Sequence, residues 1–160
     1  MRILSFDQST RVTGYACFNS EKYFDSGVID LHDITDTEKR SREMGIKICD
    51  VIKKYKPDVI IIEEVQQQGN PDTLKKLARI QGIAIGFAAA NDIELHIVEP
   101  TRWRKVLEYK QGRGVKREEL KQQSMDYVEE HLGFDYFSED RCEAVCINLA
   151  AQKLFNLVSE

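Results

Sequence analysis

Asp7 closes the apolar run "RILSFD", Glu63 and Glu64 close a second, "DVIIIEEV", and Asp140 and Glu143 stand three apart in "SEDRCEAVCINLAA". Carboxylates placed this way can do hydrolytic chemistry when a divalent cation gathers them. Without a cation, acids crowded at the edge of a core cannot all ionise cheaply. Most of them also have a plainer reading. Asp7 can be a turn residue before "QST", Glu63 and Glu64 a solvated strand end, and Asp140 a first-turn acid that complements a helix dipole. Glu143 resists that reading. It opens the stretch Ala144 to Ala151, apolar on nearly all sides with only Asn148 interrupting, and a helix of that kind is buried. Asp140 and Glu143, three apart, share one helical face. Successive strand residues alternate faces, so Glu63 and Glu64 point opposite ways, and local pattern leaves open which of them works. Oxygen donors with no His or Cys among them fit Mg²⁺ or Mn²⁺ rather than zinc.

A second constellation is cationic. Residues 102–121 hold eight cations (Arg102, Arg104, Lys105, Lys110, Arg113, Lys116, Arg117, Lys121) against three acids. That local charge of +5, on a chain of net charge −4, leaves −9 for the remainder. A basic stripe on an acidic body suits phosphates, or is simply a solvated helix pair. Trp103 and the glutamine run Gln66–Gln68 can touch exposed bases, although Trp103 is read first as a packed helix residue.

The elements that must carry these groups follow from pattern. "RILSFD", "VTGYACF" and "YFDSGVID" predict three strands over residues 2–30, joined as an antiparallel meander. Thr35 and Glu38 form an expected capping box before a helix to about Lys54. Pro57 resets the chain for a strand over 58–63. Pro71 suits the first turn of a helix over about 71–90. "IELHIVE" is a fifth strand, and Pro100 opens a short helix to about Tyr109. "QGRG" then breaks the chain before a helix over 115–132 that stops at Gly133. Ser138 caps a last helix reaching about Val158. These elements predict an α/β fold, a five-stranded mixed sheet with helices on both faces. A right-handed crossover sets strand 58–63 beside the first, which brings Asp7 next to Glu63 and Glu64. Open α/β sheets bind ligands at such carboxyl ends. Ala78, Gly82, Gly86 and Ala90 recur every four residues along helix 71–90. This ridge of small residues packs either on the chain's own sheet or on a second copy.

Composition excludes other classes. The 160 residues, 42% apolar and 31% charged, fit one ordinary globular domain. The longest apolar run, Gly82 to Ala90, is far below the roughly 20 residues that span a bilayer. "MRILSFD" does not read as a signal peptide, and the four cysteines form no C-x-x-C pair. Buried free thiols and a reducing cytoplasm are expected.

Together these segments resemble the RuvC family of Holliday-junction resolvases, within the RNase H-like and retroviral-integrase superfamily. "ILSFDQSTRVTGYA" is similar to the family's first strand, acid and hairpin, and "DVIIIEEV" to its second motif, I-E-x-V. "NPDTLKKLARIQGIAIGFAA" is similar to the long helix after that motif, and "SEDRCEAVCINLA" to the final D-x-x-[DE]-A helix. The resemblance spans essentially the whole chain and implies one nuclease domain over 1–160. It selects Glu63 over Glu64, leaving Glu64 to face solvent or DNA. It implies that Asp7, Glu63, Asp140 and Glu143 are the catalytic metal ligands, holding two Mg²⁺ ions about 4 Å apart, with Mn²⁺ able to substitute. Family lysines near the junction backbone fall on Lys105 and Lys116, with Arg102, Arg104, Arg113 and Arg117 as neighbouring phosphate contacts. Gln66 stands where well-known members carry an aromatic wedge. The implied partner is four-way or otherwise branched DNA, and paired nicks imply a homodimer. Gln8-Ser9 in place of the usual Pro-Gly, and Glu143 in place of a closing Asp, imply a divergent, perhaps phage-encoded relative. Two other readings stand beside this one. One is a nucleic-acid-binding module that kept the fold and lost the chemistry. The other is a sugar-kinase or actin-like phosphate-binding domain, which "FDQSTRVTGYA" also resembles, although those proteins need two such domains.

Overall fold

Strand β1 (Arg2–Asp7) sends its side chains alternately to two faces, and both are covered in the computed structural model, which describes residues 1–67 and 69–158. Leu4 and Phe6 enter one core cluster, and Ile3 enters the other. β2 (Val12–Asn19) and β3 (Lys22–Asp30) return antiparallel, as the meander predicts. β4 (Val59–Glu63) lies parallel to β1, and β5 (Glu94–Val98) lies parallel to β4. The order β3-β2-β1-β4-β5 is the expected five-stranded mixed sheet. Burial on both faces explains the unbroken Ile60-Ile61-Ile62 run. Each of those side chains contributes about 1.5–3 kcal/mol by leaving water.

Helices α1 (Thr37–Tyr55) and α2 (Pro71–Ala90) cover one face with Met44, Ile48, Ile52, Ile80, Ala84 and Ala88. Helices α3 (Pro100–Val106), α4 (Arg117–Leu132) and α5 (Glu139–Leu154) cover the other. Asn148, the polar break in the apolar stretch of α5, ties that helix to the sheet. Its Nδ2 donates to the carbonyls of Ile3 at 3.1 Å and Ala16 at 3.2 Å. Ser5 adds a hydroxyl bond of 2.7 Å to the carbonyl of Ala144.

Some boundaries differ from expectation. Asp36, not Thr35, caps α1, its Oδ1 accepting from the Lys39 N–H at 2.8 Å. A carboxylate there satisfies an orphan N–H and also complements the helix dipole. α3 ends at Val106 rather than Tyr109, because Glu108 turns left-handed at φ 61°. The turn lets the Tyr109 hydroxyl reach Ser124 at 3.0 Å. α4 starts at Arg117 instead of residue 115, with Glu119 Oε1 accepting from the Lys116 N–H at 3.3 Å. α5 stops at Leu154, short of Val158, and Asn156 is left-handed at φ 52°. Ser138 caps α5 as expected, and a left-handed Gly133 ends α4. All four cysteines are free thiols, three buried and Cys49 half-buried. Among the described residues no helix is long and apolar enough to cross a membrane.

The small-residue ridge does not pack on the sheet. Ala78, Gly82, Gly86 and Ala90 are all exposed. A Cβ built on Gly82 or Gly86 would meet no atom within 4 Å. α2 instead buries the face carrying Ile80, Gln81, Ala84 and Ala88.

Candidate metal centre

Strand parity places the acids. Ile3 in β1, and Val59 and Ile61 in β4, face the cluster that α5 completes, whereas Leu4, Phe6, Ile60 and Ile62 face α1 and α2. Alternation therefore carries Asp7 and Glu63 to the α5 side, at the carboxyl ends of neighbouring parallel strands. α5 brings Asp140 and Glu143 down over them from its first two turns. Carboxylate oxygens of Asp7, Asp140 and Glu143 lie within 4.8 Å of one another. Glu63 is not one of that trio, and its Oε2 accepts the indole N–H of Trp103. All four acids line one cleft of about 410 Å³.

The backbone under Glu63 is fixed from the other side of the sheet. Buried Gln81 of α2 donates its amide to the Glu63 carbonyl at 3.1 Å. Glu64 also lines the cleft, but its Oε1 accepts from the neighbouring Val65 N–H at 2.9 Å.

The electrostatics show what this cluster suits. Burial and the charges of Glu143, Glu63 and Asp140 hold the Asp7 carboxyl well above its ordinary range. Burial lifts Glu63 to about 7, against the Trp103 hydrogen bond and the Arg104 charge. Glu143 is raised by burial and by Asp140, although Arg104 and Lys121 oppose the shift. Three oxygen-donor groups this close repel one another in the ionised state, and a hard divalent cation between them reverses that cost. The residues present fit such a cation.

The basic stripe divides around the cleft. Arg104 and Arg117 line it. Arg104 is mostly buried, with a guanidinium nitrogen 4.0 Å from Glu143 Oε1. Arg102 is exposed and lies 5.8 Å from the Phe155 ring centre, outside the cleft wall. Lys105, Arg113 and Lys116 are likewise exposed and outside that wall. The two positions matched to family lysines thus each lie one residue away from the arginine that faces the cleft. Gln66 is exposed at the cleft rim, and Gln68 lies outside the described residues. Trp103 is fully buried, so the packing reading holds and base contact by its ring is excluded.

Sequence reasoning missed Gln8, Gln81 and the polar role of Trp103. Gln8 Oε1 and Arg104 Nε are, among the described residues, buried side-chain atoms with no hydrogen-bond partner. Both residues line the cleft. Gln8 Nε2 donates to the Leu77 carbonyl at 2.7 Å, which fixes the amide's orientation. Buried polar atoms are rarely left unpaired, so these two mark a part of the cleft wall whose polar groups the chain itself does not satisfy. The departure from Pro-Gly at Gln8-Ser9 was the one signal in the sequence that could have pointed to Gln8.

Comparison with known proteins bears on this geometry. The family model described as crossover junction endodeoxyribonuclease RuvC matches residues 3–132. The matched span ends before α5, so Asp140 and Glu143 rest on the structure and on their own motif. The protein of that name from Hydrogenovibrio crunogenus is 31% identical over 105 residues, covering 63% of this chain and 60% of the relative. That from Serratia proteamaculans is 33% identical over 97 residues, covering 58% and 56%. The chain thus spans less than two thirds of the curated relatives it matches. Thermus thermophilus RuvC, solved in complex with a Holliday junction substrate, superposes with a TM-score of 0.77 at 13% identity. That match covers 98% of this chain and 96% of the other. The yeast mitochondrial Holliday junction resolvase Ydc2 gives 0.59 at 16% identity, covering 92% and 76%. At these identities the structural likeness establishes the fold.

Proposed function

The chain belongs to the RuvC family, and from that premise we propose that it is a structure-selective DNA endonuclease that resolves four-way junctions by cation-dependent phosphodiester hydrolysis. The observation that carries this reading is the meeting of Asp7, Asp140 and Glu143 within 4.8 Å, at the carboxyl end of β1. Asp7, Asp140 and Glu143 would hold one Mg²⁺, and Glu63, set apart on the same cleft, would complete a second position. Mn²⁺ would serve in the same ligand set. When bound, such cations supply Lewis acidity and a water of lowered pKa.

The chain's own groups do the positioning. Arg104 brings its guanidinium to the cleft wall, where a phosphate oxygen can pair with it. Arg117 adds a second cation to the same wall. Lys105, Arg113, Lys116 and Arg102, exposed beyond the cleft, would hold flanking phosphates and fix register without reading bases. Gln66, at the rim, would meet the strand beside the cut. Junction preference would then come from the shape and deformability of the branched DNA. The compartment that suits free thiols and a DNA substrate is the cytoplasm.

Paired nicks need two sites, and one chain holds one. The exposed α2 ridge, with Ile83 and Ile85 beside it at 40% and 38% exposure, supports a homodimer built on that face.

The test is incubation of the purified chain with a synthetic four-way junction and with linear duplex, in Mg²⁺, Mn²⁺ or EDTA. Paired cuts in the junction alone, lost in EDTA, are expected. Binding without cutting in either cation would replace this reading with the inactive binding module.

A further inference from the structure

Trp103 is the only tryptophan of the chain, and it is fully buried. Its ring meets Tyr109 edge-on, with centroids 5.4 Å apart. The Arg104 guanidinium lies 5.0 Å from the indole ring centre. Packing accounts for the ring but not for the N–H. A buried indole N–H needs an acceptor. Here the acceptor is Oε2 of Glu63, a carboxylate at the cleft.

The fold makes this contact almost locally. Glu63 pairs with Val98 across the parallel β4–β5 ladder. Pro100 starts α3 two residues later, and the first turn of that helix returns Trp103 to its strand neighbour. The donor's chemistry also fits the task. An indole offers one N–H, accepts nothing and carries no charge. Lys or Arg in its place would cancel the charge of Glu63 and repel a cation. The indole orients the carboxylate and leaves its charge available.

We propose that Trp103 is a positioning residue for Glu63: its N–H pins Oε2, keeps the carboxylate off the Asp7–Asp140–Glu143 trio and reserves Oε1 for a cation. This inference rests on the cation-dependent reading of the cleft, and it assigns Trp103 no contact with DNA.

The test uses the full chain without DNA. Trp103→Phe keeps an aromatic ring in the core and removes the donor. Calorimetric titration with Mn²⁺ should show affinity 10- to 100-fold weaker in Trp103→Phe, the usual loss when a ligand's hydrogen-bonded support is removed. Asp7→Asn, titrated in parallel, reports on the centre itself. Affinity within twofold of the parent in Trp103→Phe, while Asp7→Asn is deficient, overturns the positioning role and leaves the cation reading intact. If the parent binds no Mn²⁺, or Asp7→Asn binds it equally well, the cation reading fails and the proposal falls with it. Should Trp103→Phe not fold, the parent still answers. Its single indole N–H resonance in a heteronuclear NMR spectrum should move in Glu63→Gln and again when Mg²⁺ is added. A resonance indifferent to both changes overturns the proposal.

Discussion

The backbone of Gly14 lies so close to the carbonyl of Asp140 that no side-chain carbon fits between them. Gly14 also stands opposite Asp7 in the β1–β2 register. A residue without a Cβ therefore lets the first turn of α5 settle on the sheet and sets Asp140 over Asp7. The obstruction is backbone, so a methyl there must push the helix away. Gly14→Ala should lower cleavage about 100-fold, the scale of a 1 Å misplacement of reacting groups, with junction binding retained. Parallel cleavage and gel-shift assays check this, and unchanged cleavage refutes it.

Removing single charges separates the acids by role. Glu63→Gln and Asp140→Asn should abolish cutting while junction binding stays intact or tightens, since less negative charge then faces the phosphates. Glu64→Gln should have far less effect, because that carboxylate is already engaged by the Val65 N–H. Equal losses from the two glutamate variants would sink the assignment.

The raised acids make stability depend on pH in a definite direction. Burial above all lifts Glu63 from 4.5 to about 7, and Asp7 and Glu143 are raised as well. A raised acid binds its proton more tightly in the fold than in the unfolded chain. Its stabilising contribution is full below about 4.5 and is lost as pH rises through about 7. For Glu63 alone the loss is on the order of 3 kcal/mol. In EDTA the thermal midpoint should fall between about pH 5 and about pH 8. Saturating Mg²⁺ should remove most of that fall, because it favours the ionised acids. A flat profile in EDTA would contradict the crowding of these carboxylates.

The basic stripe predicts a steep salt dependence. Junction affinity should decline with a log–log slope of roughly −0.9 per phosphate contacted. Lys116→Ala and Arg117→Ala should each weaken binding and flatten the slope by about one unit. Affinity indifferent to salt would remove the stripe from recognition.

Gly86→Leu probes the exposed face of α2. Nothing in the chain lies within 4 Å of a Cβ at that position. Replacing a helix-interior glycine also relieves about 1 kcal/mol of propensity cost. The variant should fold, sediment as a monomer and cut junctions singly or not at all. A dimer that still makes paired cuts would place the interface elsewhere.

Short-range physics made much of this protein legible from its sequence. Apolar runs bounded by turn residues located all five strands, and helix ends were marked by the fixed φ of Pro71 and by the bonds of Ser138 and Gly133, which reach only three or four residues. The crossover rule puts β4 beside β1, which brings Asp7 to the Glu63–Glu64 pair. Three things needed the tertiary structure. Parity says that Glu63 and Glu64 face opposite ways, but only the docking of α5 says which face holds the acids. In a seven-residue helix each step turns the side chain by about 100°, and no apolar period is long enough to show its phase. The cleft therefore received Arg104 rather than Lys105, and Trp103 went to the core with its N–H on Glu63. From Ile80 onward α2 carries small or apolar residues almost all round, so its burial pattern there was decided by the sheet and α1, which took Ile80 and Ala84 and left Gly82 and Gly86 outside. Local sequence determines which groups exist and how their element repeats, whereas long-range packing chooses the rotation of each element about its axis, and that rotation built the centre.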